Sequence, residues 1–184
     1  VLEMADSVSL DLVDKKLVTD QLVLTIGYDT ESLTDRDIRE KYQGKIATDR
    51  YGRQVPVHAH GTVNMERPTS SETILMEKAG GLFDRIVNPD LLARRITLSA
   101  NHLMHETDIQ PNSHVVQLDL FTDYEQLEKE QQAEEEMLAR ERRRQEAVLQ
   151  IKKKFGKNAI LKGLNYADGA TQRERNRQIG GHHE

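Results

Sequence analysis

The chain has 184 residues, of which 36% are hydrophobic and 31% charged, and most of its apolar clusters precede about residue 105. This distribution indicates one folded domain followed by an appendage that cannot build a large core. The absence of cysteine excludes disulfides and thiolate metal sites, and it suits a reducing cytoplasm. No apolar run is long enough to cross a membrane and no signal peptide is present, so we expect a soluble, cytoplasmic protein without a membrane partner.

The first predicted elements are a helix and a strand. The chain opens at Val1 inside an apparent helical pattern and without an initiator Met, so we interpret it as a piece of a longer protein. Apolar residues spaced by three and four predict a helix that ends near Lys15 or Lys16. The period then changes to two, which predicts a strand with one buried face. That face consists of Leu22, Leu24, Ile26 and Tyr28.

Two further strands and a second helix follow. Alternation over residues 57–65 predicts the second strand, which Pro68 is expected to end. Thr69 and Glu72 fit a capping box that opens a helix, and the breakers Asn88 and Pro89 close it. The third strand spans residues 95–101 and places Ile96, Leu98 and Ala100 inward.

The order of these elements is helix, strand, strand, helix, strand. One more strand in front would complete a split strand-helix-strand unit, and residues 115–120 could also fill that place. We therefore expect an α+β fold in which an antiparallel sheet carries two helices on one face, followed by a long charged helix and an irregular tail. The opposite face of the sheet is polar and free for a partner.

The connector over residues 29–56 is too long for a simple hairpin loop. It carries six basic side chains interleaved with two tyrosines, namely Arg36, Arg39, Lys41, Lys45, Arg50, Arg53, Tyr42 and Tyr51. A long basic loop beside a polar sheet favours phosphate contacts. A solvated insertion without a ligand is the alternative.

The pentapeptide Gln117, Leu118, Asp119, Leu120 and Phe121 resembles the peptide by which bacterial proteins dock on the replicative sliding clamp. Leu120 and Phe121 would enter an apolar cleft while the amide of Gln117 satisfies polar groups at its rim. The alternative is an edge strand over residues 114–120 with Phe121 in the core.

The region after the pentapeptide predicts one long helix from Tyr124 to about Phe155, with oppositely charged pairs at i,i+4. Its apolar stripe is thin, because Leu127, Leu138 and Leu149 recur every eleven residues. An alternative function follows from this helix: a non-enzymatic adaptor that pairs it with a partner helix.

Several segments together resemble the C-terminal part of Y-family translesion DNA polymerases, the UmuC-like (ImpB/MucB/SamB) group. They are the strand Arg94-Arg95-Ile96-Thr97-Leu98-Ser99-Ala100-Asn101, the helix containing Leu82-Phe83, the pentapeptide, and the closing runs 155–163 and 173–182. The resemblance covers nearly the whole chain.

This resemblance implies a little-finger domain over residues 1–106, a tether with the clamp motif over 107–122, and a charged helix with a basic tail over 123–184. It implies error-prone lesion bypass, with primer-template DNA and the sliding clamp as partners. The DNA-contacting residues that the resemblance implies are Arg67, Arg94 and Arg95. The candidate set is completed by Thr97, on the outward face of the third strand, and by Arg50 and Arg53 of the basic connector.

No catalytic residue is assigned, because the sequence contains no paired catalytic carboxylates, nucleophile elbow or phosphate-binding glycine loop. In the family the Mg²⁺ ions are held by palm carboxylates that have no counterpart here, so we expect no cofactor in this chain and no polymerisation by it alone. A zinc site formed by His58, His60, His102 and His105 is conceivable but lacks an ordered set of supporting carboxylates.

Overall fold

A computed structural model describes residues 1–109, 124–179 and 182–183. The helices are α1 (Leu2–Lys15), α2 (Glu31–Thr34), α3 (Arg36–Lys41), α4 (Glu72–Ile86), α5 (Tyr124–Phe155) and α6 (Gln172–Arg175), with 3-10 turns at Glu106–Asp108 and Gly163–Tyr166. The strands are β1 (Leu17–Tyr28), β2 (Ile46–Thr48), β3 (Gln54–Pro56), β4 (Ala59–Thr69), β5 (Ala93–Asn101), β6 (Met104–His105), β7 (Gln178–Ile179) and β8 (His182–His183).

The central sheet is antiparallel in the order β4-β1-β5, and β6 pairs with the first residues of β1. Leu24 lies in the middle of β1, between Gly61 of β4 and Leu98 of β5. Helices α1 and α4 cover the apolar face, where Leu22, Leu24 and Ile26 are fully buried. The predicted α+β architecture and the predicted strand faces are confirmed.

Gly61 shows how closely α4 approaches the sheet. A Cβ atom at this position would lie 2.9 Å from side-chain atoms of both Leu82 and Ile86. A Cβ atom there would force the side chains of Leu82 and Ile86 to shift, so glycine allows α4 to lie close to β4. The close approach fixes the helix on the apolar face and leaves the opposite face uncovered by the described helices.

Three of the predicted boundaries were wrong. Pro68 does not end β4, because β4 is an edge strand and its pairing with β1 shifts between Thr19 and Gln21, so no ladder hydrogen bond from Pro68 is needed. Ser71, not Thr69, is the N-cap of α4: its hydroxyl accepts from the backbone N–H of Ile74. Val57 lies just outside β4.

The connector is ordered, in contrast to the predicted long loop. Helices α2 and α3 and the hairpin β2–β3 occupy most of it. Asp35 caps α3, and the buried hydroxyl of Ser32 accepts a hydrogen bond from the backbone N–H of Leu92 at 3.0 Å. These contacts tie the connector to the segment that leads into β5.

Helix α5 has the predicted length, and its second half lies against α1 and the start of α4. The contacts are mainly polar: Glu141 and Gln145 are buried, and Arg142 is half-buried. The segment after α5, residues 156–179, is called the tail; as predicted it consists largely of turns with short elements. The candidate strand over residues 115–120 lies outside the described residues.

Candidate nucleic-acid interface

The uncovered face of the central sheet carries short polar side chains in cross-strand rows. We call it the polar sheet face, and it comprises Gln21, Thr25, His60, Thr62, Asn64, Thr97, Ser99 and Asn101, with one apolar residue, Val23, between Thr62 and Ser99. Strict alternation along each strand produces it, since the neighbours of these residues point into the core.

Hydrogen bonds hold the rows of the polar sheet face in place. Gln21 donates from Nε2 to Asn64 at 2.9 Å and accepts from Asn101 at 3.1 Å, which forms an amide row across three strands. In another row the hydroxyl of Thr25 lies 3.0 Å from Nδ1 of His60. The face therefore presents amide and hydroxyl groups in fixed positions, and the donors among them can bind phosphate and sugar oxygens.

Arg94 and Arg95 lie at the end of the sheet where β1 finishes. Arg95 is opposite Gly27, and Arg94 sits at a register shift, with its guanidinium 3.8 Å from the carboxylate of Asp29. The backbone N–H of Glu31 and the hydroxyl of Thr30 donate to that carboxylate, and with Arg94 they hold its pKa below the usual value. Both arginines are exposed.

The hairpin β2–β3 belongs to the connector that leaves this same end of the sheet. In its turn, Arg53 pairs with Asp49 at 2.7 Å, and the guanidinium of Arg50 stacks 4.7 Å from the ring of Tyr51. Asp49 also accepts backbone hydrogen bonds, and its pKa is lowered mainly by the bond from Arg53. The charge of Arg53 is thus balanced by a neighbouring carboxylate, whereas Arg50 forms no salt bridge with any residue that the structure describes.

Arg67 lies at the opposite end of the sheet. Thr69 pairs with Thr19 and Arg95 with Gly27, so the two ends are separated by eight residues of β1, or about 26 Å at the usual strand rise. The structure therefore does not bring Arg67 together with Arg94 and Arg95. Its guanidinium forms an ion pair with Glu134 of α5 instead.

Comparison with known families decides what kind of domain this is. Residues 1–120 match the impB/mucB/samB family C-terminal domain. The chain belongs to this family. Domains of this family are parts of error-prone DNA repair polymerases of the Y family. No curated protein matches the chain.

In this impB/mucB/samB domain, the arginines and Thr97 that were predicted from the sequence fall into two groups. Arg94, Arg95 and Thr97 lie on β5, with Arg50 and Arg53 on the connector at the same end of the sheet. Arg67 stands apart. The predicted clamp residues Gln117, Leu118, Leu120 and Phe121 lie outside the described residues.

Two of the four histidines that were considered for a zinc site, His60 and His102, take part in pairwise contacts. His60 contacts Thr25, and Nδ1 of His102 lies 2.8 Å from a carboxylate oxygen of Asp20. Within residues 1–109, 124–179 and 182–183, no three or more His, Asp or Glu side chains are arranged to hold a metal ion. In the same part of the chain, no helix is long and apolar enough to cross a membrane.

Sequence reasoning missed a polar contact between α5 and the rest of the domain. Both carboxylate oxygens of Glu141 accept at the start of α4, one from the hydroxyl of Ser71 at 2.8 Å and one from the backbone N–H of Thr73 at 2.9 Å. Gln145, 2% exposed, donates to the hydroxyl of Ser9 at 2.6 Å. A carboxylate is favoured at this position because the N-terminus of a helix carries unsatisfied N–H groups and a positive dipole end.

The other missed contact holds the tail on α1. Buried Glu3 accepts from the side chain of Asn165 at 2.7 Å and from the backbone N–H groups of Thr171 and Gln172. Burial alone would raise the pKa of Glu3, but these hydrogen bonds outweigh it and lower the pKa. A signal was present in the sequence: Glu3, Asp6 and Ser9 recur every three residues and so share one face of α1.

Proposed function

We propose that this chain is the DNA-binding and clamp-binding C-terminal module of an error-prone lesion-bypass DNA polymerase. The observation that carries the proposal is a fixed polar sheet face with exposed Arg94 and Arg95 at one end. Phosphate contacts position a protein on DNA, and rows of amides and hydroxyls beside arginines are suited to them. The parent polymerase would supply the Mg²⁺-binding carboxylates.

DNA binding is tested by replacing Arg94 and Arg95 with Ala and measuring affinity for a labelled primer-template by fluorescence anisotropy across a salt series. Loss of two phosphate contacts should weaken binding to all sequences and reduce the salt slope by about two. The matched control is Arg140→Ala with Arg143→Ala, which removes two exposed arginines from α5.

An unchanged affinity and salt slope in the Arg94/Arg95 variant would remove the polar sheet face from the proposal. An equal loss in the α5 control would show that net charge, and not this end of the sheet, determines binding.

Clamp binding is proposed from the sequence of residues 117–121. Burying a Leu and a Phe contributes about 1.5–3 kcal/mol each, so Leu120→Ala with Phe121→Ala should weaken clamp binding well over tenfold. Surface plasmon resonance on immobilised bacterial sliding clamp measures this, with exposed Leu92→Ala as the control.

Thermal unfolding of the same variant separates the two interpretations of the pentapeptide. A docking peptide leaves the melting temperature unchanged while clamp binding is lost. A variant that melts many degrees lower and binds the clamp normally would instead make the segment a strand of the core.

The adaptor alternative is less well supported. A helix that pairs with a partner protein needs a continuous surface of its own. In α5 the buried positions Glu141 and Gln145 already contact Ser71, Thr73 and Ser9 of this chain.

A further inference from the structure

The last turn of α5 and the tail together carry an excess of basic residues. Residues 152–177 contain eight Lys and Arg against two Asp and Glu, whereas residues 124–136 contain one Lys against six Glu. Lys154, Arg173 and Arg177 form no salt bridge with any residue that the structure describes. These three cations are available for an anionic partner.

Two large aromatic rings lie exposed in the same segment. Phe155 is 68% exposed and Tyr166 is 64% exposed. Each has a cation against it: the ammonium group of Lys154 lies 5.2 Å from the ring of Phe155, and the guanidinium of Arg173 lies 4.7 Å from the ring of Tyr166. Neither ring belongs to the buried core of the described residues, so both are accessible to a partner.

Hydrogen bonds connect the surroundings of the two rings. Asn158, three residues after Phe155, donates from Nδ2 to the backbone carbonyl of Arg173 at 3.2 Å and accepts from Asn176 at 2.7 Å. The turn after α5 is thereby fixed to α6. Arg173 also lines a cavity of about 280 Å³ together with Tyr166, Arg177 and the acidic residue Glu174.

We propose that Phe155 and Tyr166, with Lys154, Arg173 and Arg177, form a second nucleic-acid surface that binds a single strand. Exposed rings beside cations are the arrangement on which unpaired bases stack while phosphates contact the charges. In a duplex the faces of the bases are already stacked on one another, so the rings select for single strands. This surface does not depend on the polar sheet face.

The test uses the full chain and a fluorescein-labelled oligo(dT) of about twelve nucleotides, a length within the usual site size of single-strand binding folds. Stacking on one aromatic ring is worth about five- to 150-fold in affinity, so Phe155→Ala with Tyr166→Ala should bind at least about tenfold more weakly by anisotropy. Met137→Ala, which removes an equally exposed apolar side chain from α5, should bind like the wild type. Phe155→Trp with Tyr166→Trp should bind at least as tightly as the wild type.

Unchanged affinity in the double Ala variant overturns the proposal, as does equal binding of an abasic oligomer of the same length. Equal competition by poly-glutamate would indicate an acidic protein partner and would also overturn it. Duplex binding that depends on Arg94 and Arg95 is measured in a separate experiment. Failure of the single-strand proposal would therefore not affect the proposed DNA binding by the polar sheet face, and the reverse also holds. A thermal melt identical to that of the wild type shows that the variant is folded.

Discussion

The sheet and the tail of this chain are held in place by opposite kinds of contact. Between the sheet and helices α1 and α4 the contacts are apolar, and the side chains of Leu22, Leu24 and Ile26 have no exposed surface. Between α1 and the tail they are polar, with Glu3 and Asn165 buried against each other. Both surfaces of α1 are therefore covered, one by hydrophobic burial and the other by hydrogen bonds.

This difference determines how each region can respond to conditions. Apolar burial depends weakly on pH and salt, so the sheet keeps the polar face and its arginines in one geometry. Buried polar contacts stabilise only when every partner is present and correctly charged. Helix α5 and the tail are therefore the regions that substitution or acid can detach while the sheet remains folded.

The largest expected effect is in the sheet. Leu24→Ala removes a fully buried side chain at the centre of β1, and such truncations cost about 2–5 kcal/mol in free energy of unfolding. Urea unfolding followed by circular dichroism measures the loss. Ser99→Ala, on the polar sheet face, is the control and should change stability by no more than about 0.5 kcal/mol. A loss below 1 kcal/mol for Leu24→Ala would contradict the central role of this residue.

An intermediate effect is expected where α5 meets α4. Glu141→Ala leaves the hydroxyl of Ser71 and the backbone N–H of Thr73 without their acceptor, which costs about 1–3 kcal/mol for buried groups. Hydrogen exchange should show faster exchange in the second half of α5 and at the start of α4, with the sheet unchanged.

Glu136→Ala is the matched control for that experiment, because it removes an exposed carboxylate from the same helix. Equal protection in Glu141→Ala and wild type would mean that other contacts, such as the salt bridge between Arg142 and Glu106 at 2.6 Å, hold the helix in place.

Local patterns predicted the sheet well because burial there follows the period of the strand. Leu22, Leu24 and Ile26 occur at every second position of β1, and the structure buries all three. The cap of α4 was misassigned by two residues, since Thr69 and Ser71 both suit an N-cap and the local sequence does not distinguish them. The sequence did not predict that the connector is ordered. The hydrogen bond that ties it down runs from the backbone N–H of Leu92 to the hydroxyl of Ser32, and these residues are 60 positions apart in the chain.

The candidate site was predictable in part for the same reason. The polar sheet face follows from alternation, and Arg94 and Arg95 are placed by the strand that contains them. The ion pair of Arg67 with Glu134 spans 67 residues, and no sequence pattern connects the two. The buried acceptors Glu3 and Glu141 resemble ordinary surface carboxylates, because a charged residue is usually solvated.

The smallest expected effect is confined to the tail and concerns how its attachment to α1 depends on pH. The pKa of Glu3 in the folded chain is below its usual value of 4.5, which means that folding favours the ionised carboxylate. The stabilisation it provides is therefore complete above the unfolded pKa and is lost as pH falls through the lower folded pKa. The protection factors of the backbone N–H groups of Thr171 and Gln172, that is, their exchange rates relative to an unstructured chain at the same pH, should consequently fall in acid before those of β1 do. Glu3→Gln should make this exchange fast already at neutral pH, whereas Glu77→Gln, at an exposed position of α4, should leave it slow. If Glu3→Gln retained slow exchange at neutral pH, charge on this side chain would not be what holds the tail on α1.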